Sequence, residues 1–157
     1  TMNIEEIASA YEAATKEFLL IATSVPENKL DVNDGQNWSS RQVIHHCADS
    51  EAQSYARLRR LLAEPEGSVI QGYDEGAWAQ SKNLGYEELE ITHSFAVTIS
   101  VRNASAELIR RMSIADVEKF GTHTERGKFT ISDWLKAYSN HPFDHGAQLE
   151  RAVKGLP

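Results

Sequence analysis

Two histidines four residues apart, His141 and His145, lie near the end of the chain in a segment whose apolar residues recur at helical spacing. At about 100° per residue they fall within roughly 40° of each other, on the face that also carries Trp134, Tyr138 and Leu149. An apolar stripe faces the interior of a fold, so both imidazoles are turned inward, and two polar rings in a core require partners. One divalent ion would satisfy both, since side chains at this spacing start about 5–6 Å apart, with a third ligand supplied from elsewhere in the chain. The competing reading is a pair of core histidines hydrogen-bonded to nearby backbone or side chains, and spacing alone divides the two evenly. Pro142 lies between the histidines, removes one backbone donor and biases His141 away from helical geometry. A helix here must kink, or the freed carbonyl must find another donor.

The rest of the chain supplies three more helical segments. Asn3 caps the first, with Glu6 three residues on and Met2 and Ile7 flanking the cap as a hydrophobic staple. Ile4, Ile7, Tyr11, Ala14, Phe18 and Ile21 then keep the period, and the helix ends near Ser24 because Pro26 follows. Residues 26–37, rich in Asn, Asp and Gly, read as a loop. Ser39 caps the second helix, with Gln42 three residues later and Trp38 and Val43 stapling across the cap. Ile44, Cys47, Glu51, Ser54, Leu58 and Leu61 trace its apolar face. His46 sits at the edge of that face and is the better ligand candidate. His45 points away from it and reads as a solvated surface residue. Cys47, mid-stripe, reads as a small buried thiol rather than a ligand or nucleophile.

Residues 64–85 form the longest break, with a short helical turn after Asp74 and two aromatics, Tyr73 and Trp78, that either line a pocket or pin the loop to the body. The third helix is expected over roughly 86–112, although its run from Phe95 to Val101 is rich in β-branched residues and resembles a strand. His93 reads as a surface residue. Between Lys119 and Phe129 the turn Thr124-Glu125-Arg126-Gly127 predicts a small hairpin, with His123 solvated near its tip. Thr130 then caps the last helix, with Asp133 three residues on.

A chain of 157 residues suggests one domain with a substantial core. Its net charge of −7 argues against general binding to nucleic acid or anionic membranes, which needs a basic face. The single cysteine, Cys47, allows no internal disulfide and fits a reducing compartment. No apolar run approaches the ~20 residues of a membrane span and no signal peptide is visible, so the cytoplasm is the expected location. Thr1, ahead of Met2, reads as a residue left from expression.

Four amphipathic helices predict an all-α four-helix bundle, an architecture in which metal sites are built from side chains on facing helices. The stretch Trp38-Ser39-Ser40-Arg41-Gln42-Val43-Ile44-His45-His46-Cys47-Ala48-Asp49-Ser50, then Tyr73-Asp74-Glu75 with Trp78, then the hairpin leading into the helix of His141 and His145, resembles the DinB-like superfamily of small helical metalloproteins. The resemblance is to the bacillithiol-transferase-like branch, whose members are often labelled metal-dependent hydrolases. It covers most of the chain and is specific in combination. It implies an up-down-down-up bundle, a homodimer, and a divalent metal held by His46, His141 and His145. Cys47, where a larger aliphatic residue is usual, and Pro142 depart from the pattern.

Three imidazoles would leave an open position on zinc or nickel, the arrangement of a catalytic rather than a structural site. Such a position holds water, whose pKa falls toward neutral, or a thiol, which the metal deprotonates. The resemblance favours transfer of a low-molecular-weight thiol to an electrophilic small-molecule substrate. Hydrolysis by a metal-bound hydroxide is the alternative, and a non-catalytic metal-binding or stress-response protein is a third reading. No general base stands out. Asp49, one turn beyond His46, either orients that ligand or is a surface residue, and Asp144 faces away from His145 into solvent.

Overall fold

A computed structural model describes residues 2–157; the reading of Thr1 lies outside the described residues. Four long helices form the body: α1 (Ile4–Thr23), α2 (Ser40–Ala63), α4 (Thr92–Arg111) and α5 (Ile131–Val153). The short helix α3 (Glu75–Gln80) and strands β1 (Val69–Ile70), β2 (Phe120–His123) and β3 (Gly127–Thr130) complete the chain.

The helix starts follow the local chemistry. The Asn3 side chain accepts from the Glu6 N–H at 2.9 Å. Reciprocal capping boxes, Ser39 with Gln42 and Thr130 with Asp133, open α2 and α5 and satisfy donors that a helix leaves unpaired. Asp74 caps α3 through the Ala77 N–H. The β-branched run 95–101 is helical, inside α4. That helix begins at Thr92, later than the expected 86: Gly85 takes a positive φ of 65° in a turn, and Tyr86 is buried there rather than continuing a helical stripe.

Contacts between helices fix their directions. Tyr11 stacks on Trp134 and Ile21 lies against Gly146, so α1 and α5 run parallel. His45 meets Ser94 and Glu51 meets Arg102, so α2 and α4 also run parallel. The pair Glu5–Arg110 sets α1 against α4, and the pairs Ser54–Trp134 and His46–His145 set α2 against α5. The result is an up-down-down-up four-helix bundle. Its parallel pair α2 and α4 is joined by the long connection that carries β1 and α3.

The expected hairpin is present, with Phe120 opposite Thr130 and His123 opposite Gly127. It gains a third strand that the sequence did not signal, β1, pairing parallel to β2. Gly121 is required there, because a Cβ would lie 2.7 Å from the Ser68 carbonyl oxygen. His123 is buried rather than solvated: its Nδ1 accepts the Glu125 N–H at 3.1 Å, and its ring packs on Phe129.

The apolar core is divided. One cluster, including Tyr11, Leu58, Ile109, Ile131 and Trp134, fills the end next to the sheet. A second, including Phe18, Val43, Ile44 and Leu149, fills the opposite end. Between them α1, α2 and α4 contribute buried polar side chains, among them Thr15, Glu51, Thr98 and Arg102. His141 occupies this layer. No helix among the described residues is long and apolar enough to cross a membrane.

Candidate metal centre

His46 stands in the second turn of α2, and His141 and His145 stand one turn apart on α5. Because α2 and α5 are antiparallel neighbours, the His46 ring meets both others, at centroid distances of 5.7 Å to His141 and 4.8 Å to His145. One nitrogen from each of the three lies within 4.8 Å of the others. The Nε2 atoms of His141 and His145 are 2.8 Å apart. Two imidazoles on one ion at Zn–N of about 2.0–2.1 Å would be separated by roughly 3.3 Å in tetrahedral geometry, so a few tenths of an ångström of adjustment suffices.

Electrostatics suit the same role. Burial, reinforced by the charge on His145, holds His46 down to about 4. Burial, and then the other two histidines and Arg102, holds His141 down to about 2. His145 is lowered by burial, against an opposing hydrogen bond from Gln148. All three are therefore neutral at pH 7, the protonation state in which an imidazole nitrogen can donate to a metal.

Gln148, which the spacing analysis passed over, sets one tautomer. Its Oε1 accepts from His145 Nδ1 at 2.7 Å, so the proton of that ring is on Nδ1 and its lone pair is on Nε2. The His145 Nε2 lone pair faces His141 Nε2 at 2.8 Å, so both atoms would converge on an ion held there. His46 Nδ1 is buried with no hydrogen-bond partner among the described residues. A core that orphans a ring nitrogen beside two inward imidazoles has the donor set of a metal site.

The remaining candidates have neighbours of their own. Asp49 does not reach His46; its carboxylate accepts the Tyr86 hydroxyl, so it neither orients a ligand nor lies free on the surface. Tyr73 and Trp78 pack against each other at 4.6 Å and are half-buried. The aromatic ring against His46 is Trp38, at 4.9 Å, a residue that the capping pattern had marked only as a staple. Trp38 also lines a surface cleft with Asp31, Gln42, Lys82 and Tyr86. Glu75, at the start of α3, and Asp144 are exposed carboxylates whose fields both reach His145. Asp144 and His93 are exposed, and Cys47 is buried with its thiol pKa pushed well up by that burial.

His45 is not a surface residue. It is 6% exposed, its Nε2–H donates to the Leu89 carbonyl at 2.9 Å and its Nδ1 accepts the Ser94 hydroxyl at 2.7 Å. The face of α2 opposite the apolar stripe is covered by the segment leading into α4, which periodicity along α2 does not reveal.

Residues 10–149 match the family model described as the DinB superfamily. A protein of Oceanobacillus iheyensis is 33% identical over 117 residues, which are 74% of this chain and 66% of that protein. One of Bacillus cereus is 30% identical over 119 residues, 76% of this chain and again 66% of the relative. The matches thus span just under two thirds of these relatives' length. YfiT from Bacillus subtilis superposes with a TM-score of 0.85 at 23% identity, over 100% of this chain and 92% of that one. All three are described, provisionally, as metal-dependent hydrolases, and YfiT as having an unusual four-helix bundle topology.

Proposed function

The chain belongs to the DinB superfamily, and from that premise we propose that it holds one divalent ion on His46, His141 and His145 and acts as a metal-dependent enzyme on a small molecule. The observation that carries this reading is the convergence of three imidazoles from two antiparallel helices, His46 buried and His141 and His145 half-buried, with no fourth His, Cys, Asp or Glu in their cluster among the described residues. Zinc or nickel suits an all-imidazole donor set. Bound there, the ion would supply Lewis acidity at an open coordination position, making a thiol or water acidic enough to serve as a nucleophile near neutral pH.

The chain's own groups hold and screen. Gln148 keeps the His145 proton on Nδ1. Trp38 walls one side of His46, and the apolar clusters around Phe18 and Trp134 flank the polar layer on either side. Asp49 is committed to Tyr86, whereas Glu51 pairs with Arg102 through Oε1 and leaves Oε2 without a partner among the described residues. A nucleophile ionised by coordination itself would need no further base. Our first reading is thiol transfer, in which the thiol loses its proton, sulfur bonds to an electrophilic carbon and the leaving group departs with the bonding pair. Hydrolysis is the second reading, favoured by the names given to the relatives.

The test has two steps. Elemental analysis should find about one divalent ion per chain, lost in His46→Ala, His141→Ala and His145→Ala and retained in His93→Ala. The metal-loaded protein is then assayed with small thiols and monochlorobimane, and separately with esters and amides without thiol. Conjugation abolished by chelator supports transfer; robust hydrolysis without thiol, lost in His145→Ala, replaces it with the second reading.

A further inference from the structure

Pro142 interrupts the hydrogen-bond ladder of α5 one residue after His141, yet the helix runs from Ile131 to Val153 without a break. A proline at 142 has no N–H for the carbonyl four residues earlier, and its ring pushes that carbonyl outward. The carbonyl is that of Tyr138, at the centre of the bundle, where an unpaired acceptor is costly. It is not unpaired. Arg102, from α4, donates to the Tyr138 carbonyl oxygen through Nη1 at 2.7 Å.

We propose that Arg102 is a positioning residue for the metal centre: its guanidinium replaces the backbone donor that Pro142 lacks and thereby holds the turn of α5 that presents His141 and His145. The proposal rests on the metal-site reading above. Arg102 is 2% exposed and is anchored on every other long helix. Nε donates to Thr15 Oγ1 at 2.7 Å and Nη2 to the Tyr11 carbonyl at 3.0 Å, both on α1, with the Tyr11 ring 3.6 Å below the guanidinium. Glu51, on α2, balances the charge at 3.3 Å from Nη1 and is 3% exposed. A planar, multiply donating group is needed here, because one fork must reach two carbonyls, a hydroxyl and a carboxylate at fixed angles. Thr15, Glu51, Arg102, His141 and Pro142 also line one small internal cavity, so the guanidinium and the histidine share a wall.

Pro142→Ala restores an N–H at position 142 and so supplies the Tyr138 carbonyl from within the helix. Arg102→Lys keeps the charge for Glu51 but loses the fork. The proposal expects Arg102→Lys to weaken zinc or nickel binding about 10–100-fold, the usual effect of losing an outer support of a metal ligand. It expects Arg102→Lys/Pro142→Ala to recover at least half of that loss on a logarithmic scale. The visible spectrum of the cobalt-substituted protein should shift in the first variant and return in the second. Wild-type affinity in Arg102→Lys, or a loss that Pro142→Ala does not repair, overturns the proposal. If Arg102→Lys does not fold, Arg102→Met/Glu51→Gln, which removes both buried charges, takes its place with the same rescue and the same two overturning results. If the wild-type protein binds no divalent ion, the metal reading fails and this one is judged by amide exchange. Exchange should accelerate at residues 143–146 in the Arg102 variant and slow again with Pro142→Ala, and unchanged exchange refutes the positioning role.

Discussion

Lowering the pH of the metal-free protein measures how strongly the fold holds its site imidazoles neutral. An unfolded histidine titrates near 6.5, while burial holds folded His46 down to about 4 and His141 down to about 2. Both are depressed, so below pH 6.5 the unfolded chain takes up protons that the folded chain refuses. The stability they contribute is present above pH 6.5 and is lost as pH falls. By linkage, each histidine removes about 2 kcal/mol between pH 7 and pH 5. Glu51 has the opposite sign. Burial, opposed by Arg102, raises it to about 7 from 4.5, so the folded chain is protonated first and about 2 kcal/mol is returned over the same interval. The net loss is therefore about 2 kcal/mol, a sizeable share of the ~5–15 kcal/mol that holds a domain together. His145, also lowered by burial, adds to it. Urea denaturation in chelator at pH 7, 6 and 5 reads the loss directly. Glu51→Gln removes the returning contribution and should steepen the loss to about 4 kcal/mol. A wild-type stability that is flat or rises toward pH 5, or a Glu51→Gln profile no steeper than wild type, would refute this account of the site.

Three further outcomes are expected. His45→Ala strands the Ser94 hydroxyl and one partner of the Leu89 carbonyl, and should lower stability by about 1–3 kcal/mol in calorimetry at saturating metal while metal stoichiometry stays at wild-type level. Gln148→Leu removes the acceptor for His145 Nδ1–H and should weaken metal affinity about 10–100-fold in a chelator competition, with Gln148→Glu no weaker than wild type. Trp38→Ala should raise KM for the active substrate more than Trp78→Ala does, because the Trp38 ring lies against His46 whereas Trp78 packs on Tyr73.

The sequence made three of the four long helices readable because each starts with its own chemistry: Asn3, Ser39 and Thr130 cap within one turn, and those bonds are local, whereas α4 starts without a side-chain cap and its start was placed too early. His46, His141 and His145 were singled out for a related reason, since membership of a helix face depends only on spacing. What failed was whatever depended on a second element. His45 looks solvated along α2 and is buried because residues 86–94 cover it. His123 sits near a hairpin turn and is buried because Phe129 packs against it on the neighbouring strand. Asp49 has the right offset to serve His46, but Tyr86, 37 residues away, claims it. Gln148 was the accessible omission: three residues beyond His145 on one helix, it is a local partner that i,i+3 spacing alone could have named.

Pro142 and Trp134 together explain why the site forms where it does. The Trp134 ring is fully buried, and its indole N–H donates to the Ser54 carbonyl at 3.0 Å, which pins α5 against α2 in one register. His46 lies eight residues before Ser54, about 12 Å back along α2 at 1.5 Å per residue. Because the helices are antiparallel, the same distance forward from Trp134 along α5 ends at Pro142, within the turn bounded by His141 and His145. A slip of one helical turn in either direction would carry His46 toward Tyr138 or past His145, and the three imidazoles would no longer converge. The indole N–H sets this register while the ring fills the apolar cluster next to the sheet, so the core contact and the site geometry are one constraint. Pro142 then needs a donor from another helix at the level where the register places the histidines, and Arg102 meets that need from α4. The buried polar layer is thus where the register of α2 on α5 and the missing donor of α5 coincide.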